Sequence, residues 1–97
     1  MTTVVTNKQL TGGAAETLPL KGGPDFVSVQ IGFSGRNTGT VTVSARGVGA
    51  DNFDTVTGGA VNLATQGTLV IAGFSIADLK FTDGGTGAYT VNVIQRT

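Results

Sequence analysis

The clearest alternation of apolar and polar residues lies in the stretch Phe26-Val27-Ser28-Val29-Gln30-Ile31-Gly32-Phe33. A period of two is typical of a strand with one buried face. The predicted buried face holds Val27, Val29, Ile31 and Phe33. The same period returns over Thr40–Arg46, and the turn-forming residues Ser34–Gly39 separate the two runs. We therefore predict a hairpin over 26–46.

A second hairpin is predicted where Gly58-Gly59 joins Phe53–Thr57 to Ala60–Leu63. A primed hairpin turn needs positive φ angles, which glycine adopts without a steric cost. This register sets Asp54 opposite Leu63, a poor pairing for a core, so we expect the hairpin at a sheet edge.

The rest of the chain also indicates short strands. Thr68–Ala72 is continuously apolar after its threonine, which favours a strand covered on both faces. Ser75–Asp78 is long enough for one helical turn. Two further strands alternate over Asp78–Thr82 and Ala88–Gln95, with inward side chains at Leu79, Phe81, Tyr89, Val91 and Val93.

A shift of 48 positions aligns part of the chain with itself. The matched residues are Phe33, Thr38, Gly39, Thr42 and Val43 with Phe81, Thr86, Gly87, Thr90 and Val91. We interpret the match as two equivalent hairpins within one sandwich.

Short strands broken by glycine-rich turns predict an all-β fold, a single antiparallel β-sandwich or partly open barrel of about seven to nine strands. Residues 26–97 are expected to form the β-sandwich domain. Residues 1–25 are expected to form an extended N-terminal arm or an edge segment, because Pro19 and Pro24 cannot occupy a central strand.

Composition excludes several classes of function. The 97 residues carry six basic and six acidic side chains and no histidine or cysteine. The chain therefore lacks the usual neutral-pH acid/base, the thiolate nucleophile and the standard zinc ligands, so we expect no enzyme, no cofactor and no metal. Balanced charge argues against nucleic-acid binding, and no apolar run reaches the roughly 20 residues that cross a bilayer. The first eight residues do not resemble a signal peptide.

A few motifs admit a functional interpretation. Asp51 and Asp54 are possible calcium ligands, and Gly47–Asn52 and Asp83–Gly87 are glycine-rich, but the spacings favour ordinary turns. The aromatic side chains are predicted to belong mostly to the core. Phe26 and Phe53 are the exceptions, since we expect them to face outward or to cover an edge.

One pattern resembles a known group of proteins. Its parts are Phe33 followed after four residues by Thr38-Gly39-Thr40-Val41-Thr42-Val43, then Asn52–Val56, Leu69-Val70-Ile71, Ile76–Phe81 and Thr86–Val93. It resembles the small β-sandwich structural proteins of tailed-bacteriophage virions, such as capsid decoration or cement proteins, over about residues 26–95.

This resemblance implies a protein without a cofactor, made in the host cytoplasm, that binds in many copies to the major capsid protein on the virion surface. Such proteins stabilise capsomer junctions, and a homotrimer is the favoured oligomer. The expected interface residues are Val4, Val5, Leu10, Leu18, Leu20, Arg36 and Arg46. Two alternatives stay open: a receptor- or carbohydrate-binding module of a tail fibre or spike, and a head–tail adaptor.

Overall fold

The structure, a computed structural model, describes residues 3–21, 26–72 and 75–97. Within these residues the chain forms eight strands and no helix. The strands are β1 (Thr3–Leu10), β2 (Ala15–Pro19), β3 (Ser28–Ser34), β4 (Thr40–Gly47), β5 (Asp54–Asn62), β6 (Thr68–Ala72), β7 (Ile76–Asp83) and β8 (Tyr89–Arg96). The predicted all-β fold is confirmed, and it is a sandwich of two sheets rather than a barrel.

Each sheet has four antiparallel strands. Sheet A has the order β1-β8-β3-β6, and sheet B has the order β2-β7-β4-β5. The predicted hairpin of β3 and β4 is wrong, because β3 pairs with β8 and β6 while β4 pairs with β7 and β5. Residues 35–39 instead carry the chain from one sheet to the other. A run of turn formers is compatible with either connection, so local sequence does not separate them.

The second predicted hairpin is also wrong, because β5 continues through Gly58-Gly59. Thr42 lies opposite Ala60 and Ser44 lies opposite Thr55, so the residues between Thr55 and Ala60 form a bulge opposite one residue of β4. Gly58 has a φ of 72° there. The two glycines serve a bulge in an edge strand instead of a turn.

Three smaller predictions fail at strand ends. The predicted helical turn at Ser75–Asp78 is absent, since Ile76 begins β7. Val27 is 49% exposed, whereas Phe26 is buried, and β3 begins at Ser28, two residues later than the alternation implied. The inward positions of Val29 and Ile31 are confirmed.

β6 was predicted to be covered on both faces, but it is an edge strand with one face exposed to solvent. Leu69 and Ile71 are buried, but Val70 is 61% exposed. Its continuous apolar run therefore does not reflect cover on both faces.

The first 25 residues supply one edge strand to each sheet. β1 pairs with β8, and β2 pairs with β7. Leu10 and Leu18 pack in the same core as the strands of residues 26–97. Residues 22–25, which include Pro24, lie outside the described residues, as does Phe74.

The shift of 48 positions corresponds to an approximate two-fold symmetry. Ile31 pairs with Val93, and the shifted positions Leu79 and Ala45 also pair. The symmetry exchanges β1 with β5, β2 with β6, β3 with β7 and β4 with β8. Applied to the order of sheet A, this exchange gives β5-β4-β7-β2, which is the order of sheet B read backwards. The equivalent units are therefore strand–crossover–strand units, not hairpins. From the bulge in β5 to the end of β6 the shift is 51, because β5 holds three extra residues, and in β7 and β8 it is 48 again.

The core lies between the two sheets. Phe33 and Phe81, which are equivalent under the symmetry, meet there with ring centroids 6.2 Å apart in an edge-to-face arrangement. The inward positions predicted for β7 and β8 are confirmed. The core residues are Leu10, Leu18, Val29, Ile31, Val41, Val43, Ala45, Val61, Leu63, Leu69, Ile71, Ile76, Leu79, Phe81, Tyr89, Val91 and Val93.

The bulge yields a first testable prediction. A Cβ atom on Gly59 would lie 2.6 Å from the Val43 carbonyl oxygen and 2.9 Å from Val56 Cγ2, so backbone must move to accept it. We expect Gly59→Ala to lower the free energy of unfolding by about 1–3 kcal/mol in urea denaturation.

Gly67→Ala is the matched control. A Cβ there meets no atom within 4 Å, and Gly67 is not among the glycines with positive φ. The control should stay within about 0.5 kcal/mol of the wild type. Equal stability of the two variants would contradict the description of the bulge.

Candidate interaction surfaces

A buried ion pair closes one end of the sandwich. Arg36 lies in the β3–β4 crossover, and Asp83 ends β7. Arg36 Nη1 donates to Asp83 Oδ2 at 2.7 Å, and Arg36 Nη2 donates to Asp83 Oδ1 at 2.6 Å. The side chains are 7% and 0% exposed. This bidentate geometry is the strongest arrangement that an arginine makes with a carboxylate.

Backbone groups complete the bonding of both partners. The N–H groups of Gly13 and Gly85 donate to Asp83 at 2.7 and 2.8 Å. Arg36 also donates to the carbonyl oxygen of Gly87 at 2.7 Å. The pair thus ties the β1–β2, β3–β4 and β7–β8 connections together.

The hydrogen bond from Arg36 holds the pKa of Asp83 well below its usual range. Burial acts in the opposite direction, while the N–H groups of Gly13 and Gly85 lower the pKa further. The bond to Asp83 likewise raises the pKa of Arg36. The Arg36 guanidinium lies 5.0 Å from the Tyr89 ring centroid, and burial raises the pKa of Tyr89 to about 12.

The outer face of sheet B is charged. Arg46 Nε donates to Asp78 Oδ2 at 2.9 Å, and Nη2 contacts the same oxygen. The Arg46 guanidinium lies 5.0 Å from the Phe53 ring centroid, and Lys80 Nζ lies 5.8 Å from it. These are cation–π distances. Phe53 is therefore half-buried among cations instead of standing free in a groove.

The outer face of sheet A is uncharged apart from Arg96, among the strand residues that the structure describes. One row crosses all four strands: Val5 pairs with Ile94, Ile94 with Gln30, and Gln30 with Val70. Val5 and Val70 are 57% and 61% exposed. The neighbouring row is polar and neutral, with Asn7, Asn92, Gly32 and Thr68.

The internal symmetry allows the outer faces of the two sheets to be compared position by position. A shift of 48 converts Val5 into Phe53, Ile94 into Arg46 and Gln30 into Asp78. Sheet B thus has an internal ion pair where sheet A has an apolar row. Apart from Arg96 at its end, the outer face of sheet A is a surface that another protein can cover without burying unpaired charge.

The structure does not gather the residues expected at an interface into one surface. Leu10 and Leu18 are core residues, because their side chains point between the sheets. Leu20 packs against that core, and Val4 is half-buried. Val5 lies on the outer face of sheet A, Arg46 lies on that of sheet B, and Arg36 is in the buried ion pair.

Sequence reasoning missed Asp83, Ile94 and Val70. Asp83 sits at the start of a glycine-rich turn, where a carboxylate is usually exposed, and nothing local shows that Arg36 lies beside it. The exposure of Val70 depends on β6 being an edge strand. The outward position of Ile94 could have been predicted, because this residue alternates with the inward-facing Val91, Val93 and Gln95.

The possible calcium site has no support in the structure. Within residues 3–21, 26–72 and 75–97, no three acidic side chains are grouped so that they could hold a metal ion. Asp51 and Asp54 are both exposed. The described residues also include no helix able to cross a membrane.

Comparison with solved structures finds proteins of similar fold. The chain is similar to the crystal structure of SPBc2 prophage-derived protein YomS, with a TM-score of 0.56 and 17% sequence identity. The likeness covers 95% of this chain and 94% of that one, so it spans the whole sandwich. At this identity it shows a shared fold. No family model matches the chain, and no curated protein matches it.

The ion pair yields a second testable prediction, for pH and stability. Because the pKa of Asp83 is lowered in the folded state, its contribution is present above the ordinary carboxyl pKa of about 3.9. That contribution is lost as the pH falls below this value. We expect Asp83→Asn to cost about 3–5 kcal/mol at neutral pH and to flatten the acid side of the stability profile.

Denaturant titrations from neutral to acid pH measure both effects. Asp54→Asn is the control, because Asp54 is exposed, and we expect it to change stability by less than about 0.5 kcal/mol. An Asp83→Asn variant as stable as the wild type at neutral pH would refute the structural role of the pair.

Proposed function

We propose that this protein is a structural component of a bacteriophage virion, specifically a capsid decoration protein. In this proposal the outer face of sheet A docks on the major capsid protein at the head surface. The row of Val5, Ile94, Gln30 and Val70 across all four strands carries the proposal. The fold shared with a prophage-derived protein agrees with a phage origin.

The size of this face limits the strength of a single contact. Four strands about 4.8 Å apart, with about seven residues at 3.3 Å each, give a face of roughly 450 Å². The buried area of both partners together is then about 900 Å², which is below the usual 1,600 Å² of a stable interface. One such contact is weak, and avidity would strengthen it only where copies are linked to one another.

The charged residues favour binding over catalysis. Arg36, Asp83, Arg46 and Asp78 form two ion pairs that satisfy one another. We therefore propose a protein that is not an enzyme, needs no cofactor, and reaches the capsid surface after synthesis in the host cytoplasm. Carbohydrate binding through Phe53 has less support, because Arg46 and Lys80 contact that ring.

A third prediction tests the docking face with particle binding. Heads assembled without this protein are mixed with purified wild type or variant, and bound protein is measured after sedimentation. Wild type should co-sediment, and Val5→Asp should bind at least tenfold more weakly, because it places an unpaired charge in the contact.

Thr42→Asp is the matched control. Thr42 is an exposed threonine on the outer face of sheet B, at the position equivalent to Thr90. It should bind like the wild type. Heads that lack the protein should also break at a lower temperature or lower salt. Absence of the wild type from heads, or unchanged head stability, would contradict the decoration role.

A further inference from the structure

The sandwich has four edge strands, and three of them carry a feature that hinders pairing with another strand. β1 has Lys8 on its core-facing side, β2 has Pro19, and β5 has the bulge at Gly58-Gly59. Charges, prolines and bulges are the usual means of protecting a sheet edge. β6 reads Thr68-Leu69-Val70-Ile71-Ala72, without a charge, a proline or a bulge.

The backbone of β6 is oriented for pairing. The Phe33 N–H donates to the Gly67 carbonyl oxygen at 2.9 Å. Backbone groups in an antiparallel pair alternate between the two sides of a strand. Leu69 and Ile71 therefore bond toward β3, while the N–H and C=O of Val70 point away from β3. Thr55, Val56 and Thr57 of β5 lie beside this edge and line a pocket with it, but no backbone hydrogen bond joins β5 to β6 among the described residues.

The internal symmetry sharpens this contrast. The Leu20 N–H donates to the Ala77 carbonyl oxygen at 2.9 Å, so the same alternation places Pro19 on the open side of β2. A shift of 51 makes Pro19 equivalent to Val70. The edge of β2 lacks an N–H group at the position where β6 offers one.

We propose that β6 pairs antiparallel with β6 of a second copy of this chain, about a two-fold axis at Val70. The two Val70 residues exchange both backbone hydrogen bonds, and Thr68 lies opposite Ala72 of the partner subunit. The strand is uncharged and pairs with itself over its full length, so a second copy meets neither repulsion nor mismatch. In the single chain Gln66 Nε2 donates to the Thr68 carbonyl oxygen at 2.9 Å, and the partner's N–H replaces it.

The proposed pairing does not depend on a role in the virion, but it would enlarge the surface that docks on the capsid. Sheet A becomes a continuous sheet of eight strands, and its uncharged outer face doubles to about 900 Å² per dimer. The two-fold dimer differs from the homotrimer that the family resemblance implies. An edge contact of this size is weak, so dimers should form only at high concentration.

Sedimentation equilibrium of the full chain, from about 1 µM to about 1 mM, tests the proposal. The wild type should change from monomer to dimer as concentration rises. Val70→Pro removes the N–H at the axis and should stay monomeric throughout. Its circular dichroism should remain that of the folded protein, because Pro19 shows that an equivalent edge position accepts proline.

A second variant makes the test independent of any proline effect on folding. Val70→Lys keeps the N–H but sets two like charges side by side, so the dimer should weaken about fivefold or more at low salt. Val48→Lys is the control, because Val48 is 48% exposed in the β4–β5 connection, outside β6. It should dimerise like the wild type.

A wild type that stays monomeric at about 1 mM would overturn the proposal. So would a trimer, or a dimer that forms equally well in Val70→Lys. The head-binding test is separate, because Val70→Pro keeps an apolar side chain on the outer face of sheet A.

Discussion

The buried pair of Arg36 and Asp83 is the constraint on which this sandwich depends. Burying two charges costs several kcal/mol per ion, and only a complete set of bonds offsets that cost. Here the carboxylate accepts from two guanidinium nitrogens and two backbone N–H groups. The pair fixes three of the connections that cross between the sheets, residues 11–14, 35–39 and 84–88. The position of one sheet against the other therefore depends on a contact between two residues that are 47 positions apart in the sequence.

The approximate two-fold symmetry explains the architecture, and its exceptions indicate where function lies. Each half supplies the same succession of strands, so the core needs only apolar residues at alternate positions. The ion pair already breaks the symmetry, because Arg36 and Asp83 do not occupy equivalent positions. The outer faces break it again, with Arg46 and Asp78 on sheet B where sheet A has Ile94 and Gln30. A symmetric scaffold thus presents one face with satisfied charges and one face open to a partner.

Alternation in the sequence predicted which side chains face inward, since a period of two depends only on local backbone geometry. Leu79, Phe81, Tyr89, Val91 and Val93 were placed correctly for this reason. Strand pairing was not predictable in the same way. Ser34–Gly39 suits a hairpin turn as well as a crossover, and Gly58-Gly59 suits a turn as well as a bulge. Asp83 was missed because its partner is distant in sequence, and Val70 because exposure depends on which strand lies at an edge.

Edge protection also limits the size of any assembly. If β1 and β6 were both open, copies would add head to tail without closure, and such heterologous contacts produce filaments. Lys8 in β1 opposes that growth, and the bulge in β5 and Pro19 in β2 oppose pairing along sheet B. A single open edge pairs only with itself, and the pairing uses the edge completely. The same features that keep the chain from aggregating therefore permit a closed two-fold dimer whose flat face is still free to bind a larger surface.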